Sequence, residues 1–264
     1  MNSSPPIELS IAAGVATLTL NRPEVRNAID DAMRAELIAA LDQVSRDPEI
    51  KALVLTGNGK AFCAGGDIRS MQRRAQAPAG EIAFNGWSRQ QRTHQAVAML
   101  HALPKPTIAA VNGAATGLGA DLAMCCDFVV VSETASMAWT YVLRGLIPDG
   151  GGMYFLPRRV GLTLAKELIF TGRKVDAPEA LKLGIASRVS PPDTLLAEAQ
   201  AWASELGKGS GAALALAKSI LDKSFELSAE EVFAQGSQAQ AICYTSSEHR
   251  ASIEAFLNKT GRAG

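Results

Sequence analysis

Two separate glycine-rich segments constrain the fold of this chain more than any other feature. The first covers residues 61–68 and the second covers residues 112–122. Each follows an apolar run typical of a buried strand, at residues 52–56 and 107–111, and each is predicted to lead into a helix. Helix N-termini carry backbone N–H groups without intrahelical partners. Two such donors aimed at one point would form a pocket for a developing oxyanion.

The length and charge of the chain limit the classes of protein to which it can belong. Its 264 residues are 47% hydrophobic, which suffices for one large domain or a domain with a helical appendage. Its 26 basic and 26 acidic residues cancel, which argues against a general binder of nucleic acid or membrane surfaces. No secretory signal and no apolar run of about 18 residues is evident, so a cytoplasmic location without membrane association is expected.

The sequence shows no motif for a metal or a nucleotide cofactor. The four cysteines, at positions 63, 125, 126 and 243, lack metal-ligand spacing. Neither a phosphate-binding GKS/T loop nor a dinucleotide fingerprint is present. No metal site is therefore expected.

Strand and helix patterns alternate up to about residue 190, which predicts an α/β core. A hairpin is predicted over residues 7–20, followed by a helix that Asp30 or Asp31 caps. Residues 69–80 are rich in charged and small residues and predict a mobile surface segment, with a helix at 82–103 behind them. Further strands are predicted at 128–131, 136–139 and 185–189, and further helices at 162–170 and from residue 177.

The pattern changes after Pro191 and Pro192, where only helices are predicted. They cover residues 193–206, 212–225, 229–241 and 248–259. Ser228 with Glu231, and Thr245 with Glu248, have the spacing of a capping box. We expect this helical region to pack on the core or on a neighbouring subunit.

Short motifs spread over nearly the whole chain form a specific combination. They are Asn21-Arg22-Pro23, Asn27-Ala28, the segment 59–67, Pro104-Lys105-Pro106, the segment 110–113, Gly117-Leu118-Gly119, Cys126-Asp127, and Phe256 with Lys259. With these motifs the chain resembles the crotonase superfamily of enoyl-CoA hydratases and isomerases. The resemblance specifies the fold better than the reaction, because this family performs many reactions on one scaffold.

The resemblance implies a spiral of ββα turns over residues 1–192 and an all-helical trimerisation region over residues 193–264. It implies a homotrimer or homohexamer that acts on an acyl-CoA thioester, with coenzyme A as part of the substrate and no separate cofactor. It also implies that the N–H groups of Gly66 and Leu118 hold the thioester oxygen. Position 118 is commonly glycine in relatives, so the leucine side chain is expected to narrow or redirect the acyl pocket.

The residues that correspond to the two glutamates of the family hydratases are Asp121 and Tyr141. The second carboxylate is therefore missing, which weakens a hydratase assignment because water addition needs an activated water and a proton donor. Asp121 also lies in the first turn of a predicted helix, where a carboxylate favours the helix dipole. Tyr141 is expected to line the pocket, and Trp139 to be a packing residue.

A third glycine-rich loop, at residues 145–152, contains another carboxylate, Asp149. The segment Gly145-Leu146-Ile147-Pro148-Asp149 is similar to that of the 2-(1,2-epoxy-1,2-dihydrophenyl)acetyl-CoA isomerase and related enoyl-CoA isomerases of the family. There, the matching aspartate moves a proton. One carboxylate suffices for a 1,3-proton shift, so double-bond isomerisation with Asp149 is the preferred hypothesis. The alternative for Asp149 is a turn residue in a Pro-Asp-Gly sequence.

Three other functions remain open at this point. The first is an enoyl-CoA hydratase that uses Asp121. The second is a dehalogenase or hydrolase that uses Asp149 with His94, since 4-chlorobenzoyl-CoA dehalogenase has a similarly placed histidine. The third is an acyl-CoA binder without turnover.

The resemblance also suggests which residues bind the nucleotide end of coenzyme A. Arg26 and Lys60 are the basic candidates, because a diphosphate and a 3′-phosphate require cations. Main-chain groups at Ala64, Asp67 and Ile68 would flank the adenine. Phe256 and Lys259 would come from an adjacent subunit.

Overall fold

The computed structural model describes residues 4–260, with side chains through residue 258, as two β-sheets surrounded by helices. The strands are β1 (Ile7–Ala12), β2 (Val15–Leu20), β3 (Ala52–Gly57), β4 (Ala61–Cys63), β5 (Thr107–Val111), β6 (Ala114–Thr116), β7 (Phe128–Ser132), β8 (Ser136–Ala138), β9 (Val175–Asp176) and β10 (Arg188–Ser190). The helices are α1 (Asp31–Arg46), α2 (Ile68–Ala75), α3 (Ala79–His101), α4 (Leu118–Cys125), α5 (Gly152–Val160), α6 (Leu162–Thr171), α7 (Ala177–Lys182), α8 (Leu195–Leu206), α9 (Gly211–Leu221), α10 (Ala229–Tyr244) and α11 (Ser247–Thr260).

The chain alternates between the two sheets as it winds around the core. The larger sheet has the order β1-β2-β3-β5-β7-β10 and the smaller one β4-β6-β8-β9. Each of the pairs β3–β4, β5–β6 and β7–β8 therefore places one strand in each sheet before a helix follows. The pairing is parallel except for β1 with β2 and β8 with β9. This repeated ββα turn is the spiral that the family resemblance implies, and between β10 and residue 260 the regular elements are all helices.

The central strands β3, β5 and β7 of the larger sheet are buried on both faces, to which successive residues of a strand point in turn. In β3, Leu53 and Leu55 belong to the main apolar cluster, which includes the inner faces of α1, α3 and α4. Val54 points the other way and packs in a second cluster with Leu195 and Ala199 of α8. The first helix of the C-terminal region is thus packed on the core, and strands covered on both sides explain the continuous apolar runs at β3 and β5.

One buried side chain holds the loop that leads into β4. Asn27 has a left-handed backbone with a φ of 57° and is fully buried. Its side-chain amide donates hydrogen bonds to the carbonyl oxygens of Ala61 at 2.8 Å and Asn58 at 2.9 Å. The Ala64 N–H donates to the Arg26 carbonyl at 2.9 Å. These bonds fix the direction in which the first glycine-rich segment leaves the sheet.

Residues 69–80, predicted as a mobile surface segment, lie at the surface but are mostly helical, because α2 and the first residues of α3 occupy them. The Asp67 carboxylate caps α2 by accepting the Ser70 N–H at 2.9 Å. Ser70 is buried, whereas most of the charged residues of this segment form the outer face of the helix. A sequence rich in charge is therefore compatible with a helix that is capped and packed at one end.

Several smaller predictions are corrected by the structure. The capping box of Ser228 and Glu231 is confirmed, whereas that of Thr245 and Glu248 is wrong because the Ser246 hydroxyl accepts the His249 N–H. The strand predicted at 185–189 is limited to β10. No sequence pattern indicated β4, β6 or α5, since three-residue strands are too short to show alternation and α5 begins inside a glycine-rich loop.

The C-terminal helices leave a large apolar surface exposed. Its most exposed large side chains are Leu221, Phe225, Phe233, Ile242, Tyr244, Phe256 and Leu257, each more than half exposed. An apolar surface of this extent is typical of an interaction site. Within residues 4–260, none of the helices is both long enough and apolar enough to cross a membrane.

Candidate active site

The two glycine-rich segments approach each other where the smaller sheet ends. Strands β4 and β6 are parallel neighbours, so the segments that follow them leave from the same edge of the sheet. Gly66 and Leu118 consequently line the same cleft. A Cβ atom added to Gly65 would lie only 3.4 Å from the Leu118 nitrogen, which shows how closely the two segments approach. In the described part of the chain, neither the Gly66 N–H nor the Leu118 N–H donates to a protein acceptor.

Glycine is required for this close approach. Gly65 and Gly117 have φ angles of +91° and +56°, a region that residues with a side chain rarely adopt. At Gly119, an added Cβ would lie 2.3 Å from the Cys63 carbonyl oxygen. Helix α4 can therefore pack directly against β4, and its first N–H group is brought to the cleft.

The cleft consists of two adjoining cavities of about 100 and 70 Å³. They share Gly66, Leu118, Met71, Tyr141 and Leu146. The larger cavity continues toward Asp149 and a face of α3, and the smaller one toward the exposed positions 64 and 68. An elongated ligand could lie across both, with its middle at the two amides.

Asp149 lines the larger cavity with a carboxyl oxygen that has no partner. Its Oδ2 atom is buried and accepts no hydrogen bond within residues 4–258. Burial raises the pKa of Asp149 above its ordinary value, although its own amide and the charges of Arg89, His94 and Arg34 act in the opposite direction. Because of this raised pKa, the carboxyl group holds a proton more readily than an exposed aspartate does.

Asp121 is enclosed on the other side of Tyr141. It is fully buried, and its Oδ2 and Oδ1 atoms accept hydrogen bonds from the Tyr141 hydroxyl at 2.6 Å and the Trp139 indole N–H at 3.0 Å. Burial raises the pKa of Asp121 to about 7; the two donors oppose this shift, and the Asp149 charge adds to it. Tyr141 lines both cavities as expected, while Trp139 is more than a packing residue because it donates to Asp121.

His94 contacts the main chain of Asp149 and not its carboxyl group. The His94 Nε2 atom lies 3.0 Å from the Asp149 carbonyl oxygen. The imidazole is otherwise exposed on α3. His94 and Asp149 are thus in contact, but the contact involves the main chain of the loop and not the Asp149 carboxyl group.

Only some of the residues predicted to bind coenzyme A line the cleft. Ala64 and Ile68 line the smaller cavity, and Ile68 is 58% exposed. Arg26 and Lys60 are exposed in neighbouring loops. The Asp67 side chain is engaged elsewhere, since it caps α2 and pairs with Arg22 at 3.3 Å.

The two remaining candidates for coenzyme A binding, Phe256 and Lys259, lie on α11. Phe256 is 66% exposed on α11. The Lys259 side chain lies outside the described residues. Across residues 4–258, the structure contains no group of three His, Cys, Asp or Glu side chains that could hold a metal ion.

Several residues of the cleft wall were not predicted from the sequence. They are Met71, Arg89, Gln90, Thr93 and Arg144. Arg89 and Thr93 have the i, i+4 spacing of one helix face, which was a detectable signal. Nothing in the sequence, however, indicated which face of α3 meets the cleft.

Comparisons with known proteins identify the family and the fold. A family model described as enoyl-CoA hydratase/isomerase matches residues 10–262. A Thermus thermophilus protein named as an enoyl-CoA hydratase is 38% identical over 245 residues, covering 93% of this chain and 95% of the relative. The 1,2-epoxyphenylacetyl-CoA isomerase of Escherichia coli K12 is 36% identical over 249 residues, covering 94% of each chain. The crystal structure of an enoyl-CoA hydratase/isomerase from Cupriavidus metallidurans CH34 superposes with a TM-score of 0.89 at 33% identity, covering 98% of this chain and 96% of the other.

Proposed function

Because the chain belongs to the enoyl-CoA hydratase/isomerase family, we propose that it shifts the double bond of an enoyl-CoA thioester, with Asp149 moving the proton. The observation that carries this proposal is the buried, unpartnered Oδ2 of Asp149. It lines the same cavity as the Gly66 and Leu118 amides. The cavity therefore combines one available carboxyl group with two available N–H donors.

The proposed reaction begins with the thioester oxygen accepting hydrogen bonds from the Gly66 and Leu118 amides. The ionised Asp149 removes a proton from C2 of a 3-enoyl thioester, and the electron pair moves onto the thioester oxygen. Preorganised donors can each contribute about 2.7–4 kcal/mol to stabilising that charge. Asp149 then returns the proton to C4, and the double bond lies between C2 and C3.

A raised pKa suits both halves of this transfer. Burial disfavours the charged carboxylate, so Asp149 holds the proton more tightly than an exposed aspartate would. The charges of Arg89, His94 and Arg34 limit the shift and keep the ionised form accessible. The same group can therefore act first as a base and then as an acid.

Hydration is the second candidate, because hydratase names predominate among the similar proteins. The pKa of about 7 at Asp121 would suit acid–base chemistry at neutral pH. Against this, Asp121 is fully buried, and both of its oxygens accept hydrogen bonds from neighbouring side chains. Water addition on this basis would require Tyr141 to move away from Asp121.

The other two alternatives have less support. A nucleophilic Asp149 assisted by His94 would require the imidazole to act on a water or on the intermediate, whereas it lies against the Asp149 carbonyl. A binder without turnover would leave the buried Asp149 oxygen without a role.

Two substrates distinguish these functions. An isomerase converts a 3-enoyl-CoA into the conjugated 2-enoyl-CoA, which is measured by ultraviolet absorbance. A hydratase converts a 2-enoyl-CoA into a 3-hydroxyacyl-CoA, which is measured by mass spectrometry. Hydration without isomerisation would refute the Asp149 mechanism. Tight binding of both thioesters without conversion would support the binder.

The assembly and the coenzyme A contacts form part of the proposal. We expect residues 193–264 to join copies of the chain into a homotrimer or homohexamer, because α9 to α11 expose the apolar surface described above. Arg26 and Lys60 would bind the phosphates, and Phe256 and Lys259 would reach a neighbouring subunit's ligand. Sedimentation equilibrium would give three or six times the mass of one chain, and a monomer at micromolar concentration would contradict this expectation.

A further inference from the structure

The α3 wall of the larger cavity carries polar atoms that nothing in the described chain satisfies. The Arg89 Nε and the Gln90 Oε1 are both buried, and neither has a hydrogen-bond partner within residues 4–258. Both residues line the same cavity as Asp149. Buried polar groups are nearly always paired, so two orphaned atoms on one wall indicate a polar group that is supplied from outside the chain.

The charges around this wall are unbalanced. Arg34 and Arg74 share one carboxylate, since the Asp31 oxygens lie 2.6 and 3.5 Å from their Nη1 atoms. Arg34 is 3% exposed, and its Nε is also unpartnered in the described chain. Arg89 has no carboxylate oxygen within 4 Å among residues 4–258. Three guanidinium groups thus face two carboxyl groups, and the proposed reaction requires one of these, Asp149, to be protonated for part of the cycle.

The charge on Arg89 is poorly solvated. Burial lowers the pKa of Arg89, and Arg74 and Arg34 lower it further, while Asp149 and Asp31 act in the opposite direction. A guanidinium group nevertheless stays protonated at neutral pH. Partial burial of a cation that has no ion-pair partner among residues 4–258 is unfavourable, and an anion that enters the cavity would reduce this cost.

We propose that the cleft takes enoyl-CoA thioesters whose acyl chain ends in a second carboxylate, which Arg89 binds. This inference rests on the proposed function for the position of the thioester. With the thioester oxygen at the Gly66 and Leu118 amides, the acyl chain extends along the cavity past Asp149 toward α3. The planar guanidinium presents a fork of N–H donors that matches a carboxylate. The Gln90 amide, rotated by half a turn, adds a further N–H donor.

An acyl chain that ends in a methyl group would satisfy neither residue. It would bury Arg89 and Gln90 against hydrocarbon and displace the water that could otherwise hydrate them. Charge-assisted hydrogen bonds are worth enough for a selectivity of about ten- to hundredfold between matched chains. Arg89 would therefore determine specificity, while Asp149 performs the proton transfer.

The test uses saturated thioesters, which bind but cannot react. Isothermal titration compares succinyl-, adipoyl- and suberoyl-CoA with butanoyl-, hexanoyl- and octanoyl-CoA on the full-length protein. We expect at least one dicarboxylic thioester to bind about ten- to hundredfold more tightly than the monocarboxylic thioester of equal length. Equal affinities within every pair would overturn the proposal, as would a uniform preference for the methyl-ended chains.

Variants on α3 test whether Arg89 causes the preference for dicarboxylic thioesters. Arg89→Met is expected to reduce the ratio of the two affinities to near one, and Arg89→Lys to retain part of it because the charge remains without the fork. Arg92→Met is the matched control, since Arg92 is exposed on the same helix and does not line the cavity; its ratio should equal that of the unmodified protein. An unchanged ratio in Arg89→Met would refute the assignment even if the preference itself exists.

The two proposals can fail independently. If the affinity ratio depends on Arg89 but no enoyl-CoA is isomerised, the substrate class stands and the reaction is wrong. If 3-enoyl thioesters are isomerised without any affinity preference, the reaction stands and the substrate class is wrong.

Discussion

The Tyr141 hydroxyl donates a 2.6 Å hydrogen bond to the buried carboxyl of Asp121. The family resemblance implies that these two residues correspond to the glutamates of the family hydratases. In this chain they satisfy each other, and the aromatic ring separates the carboxyl from the cleft. Among the described residues that line the cleft, Asp149 is therefore the only carboxylate. Under the proposed function, proton transfer therefore belongs to the glycine-rich loop before α5 and not to α4.

Replacing Asp149 by asparagine should abolish most of the isomerisation. Asparagine keeps the shape of the side chain but cannot accept and return a proton, so we expect kcat to fall by about 10²- to 10⁴-fold. Affinity for a saturated acyl-CoA should change by only a few-fold. Initial rates with a 3-enoyl-CoA and titration calorimetry measure the two quantities. The exposed Asp193→Asn serves as control, and wild-type turnover in Asp149→Asn would refute the mechanism.

Replacing Tyr141 by phenylalanine should destabilise the fold. The change removes a donor from a fully buried carboxyl and leaves its Oδ2 unsatisfied, which costs about 1–3 kcal/mol of unfolding free energy. Urea denaturation gives this value. Tyr154→Phe is the matched control, because the Tyr154 hydroxyl bonds to Glu226 at an exposed site and its loss should cost less. Equal losses of unfolding free energy in both variants would show that the buried hydrogen bond contributes no more to stability than the exposed one.

Replacing Asp121 by asparagine should change how stability depends on pH. The pKa of Asp121 is about 7 in the folded chain, compared with 3.8 ordinarily. Between these values the folded chain holds a proton that the unfolded chain has released, so raising the pH lowers the unfolding free energy, by up to a few kcal/mol. The asparagine side chain of the variant does not titrate. Urea denaturation at a series of pH values from about 4 to about 7 should give a flatter curve for the variant, and parallel curves would contradict the prediction.

Adding a methyl group at Gly119 should separate the two glycine-rich segments. The new Cβ would lie 2.3 Å from the Cys63 carbonyl oxygen, so α4 must move away from β4. Overpacking of this kind costs about 1–3 kcal/mol, and displacement of the Leu118 amide should also lower the isomerisation rate. Gly86→Ala on α3 is the control, because its Cβ would meet nothing within 4 Å and should stabilise the helix by about 0.5–1 kcal/mol. Unaltered stability and rate in Gly119→Ala would show that the contact is not needed.

The sequence predicted the features that depend on local pattern. Strands β3 and β5 are continuous apolar runs because both of their faces are buried, and a glycine-rich segment follows each of them. A cap at Asp30 or Asp31 was predicted because both residues stand at the start of an amphipathic helix, and the structure shows that Asp30 is the cap. The α/β core followed from the alternation of strands and helices, and the spiral followed from the family resemblance.

The features that depend on contacts between distant segments could not be predicted. The closure of Asp121 requires Tyr141 and Trp139, which lie in a later part of the chain. Arg89 lines the cavity only because α3 packs beside the loop of Asp149. Strand β4 is too short to show a period, although its pairing with β6 brings the two amides together.

The proposed grip on the thioester belongs to the main chain, so no exchange of side chains at positions 66 and 118 can delete it unless proline is introduced. The α3 wall, in contrast, is built from side chains that can be exchanged one at a time. Evolution could therefore alter which acyl group is accepted by changing that helix, while the electrophile stays held in the same way. An engineer seeking a new selectivity would likewise begin at α3 and leave both glycine-rich segments intact.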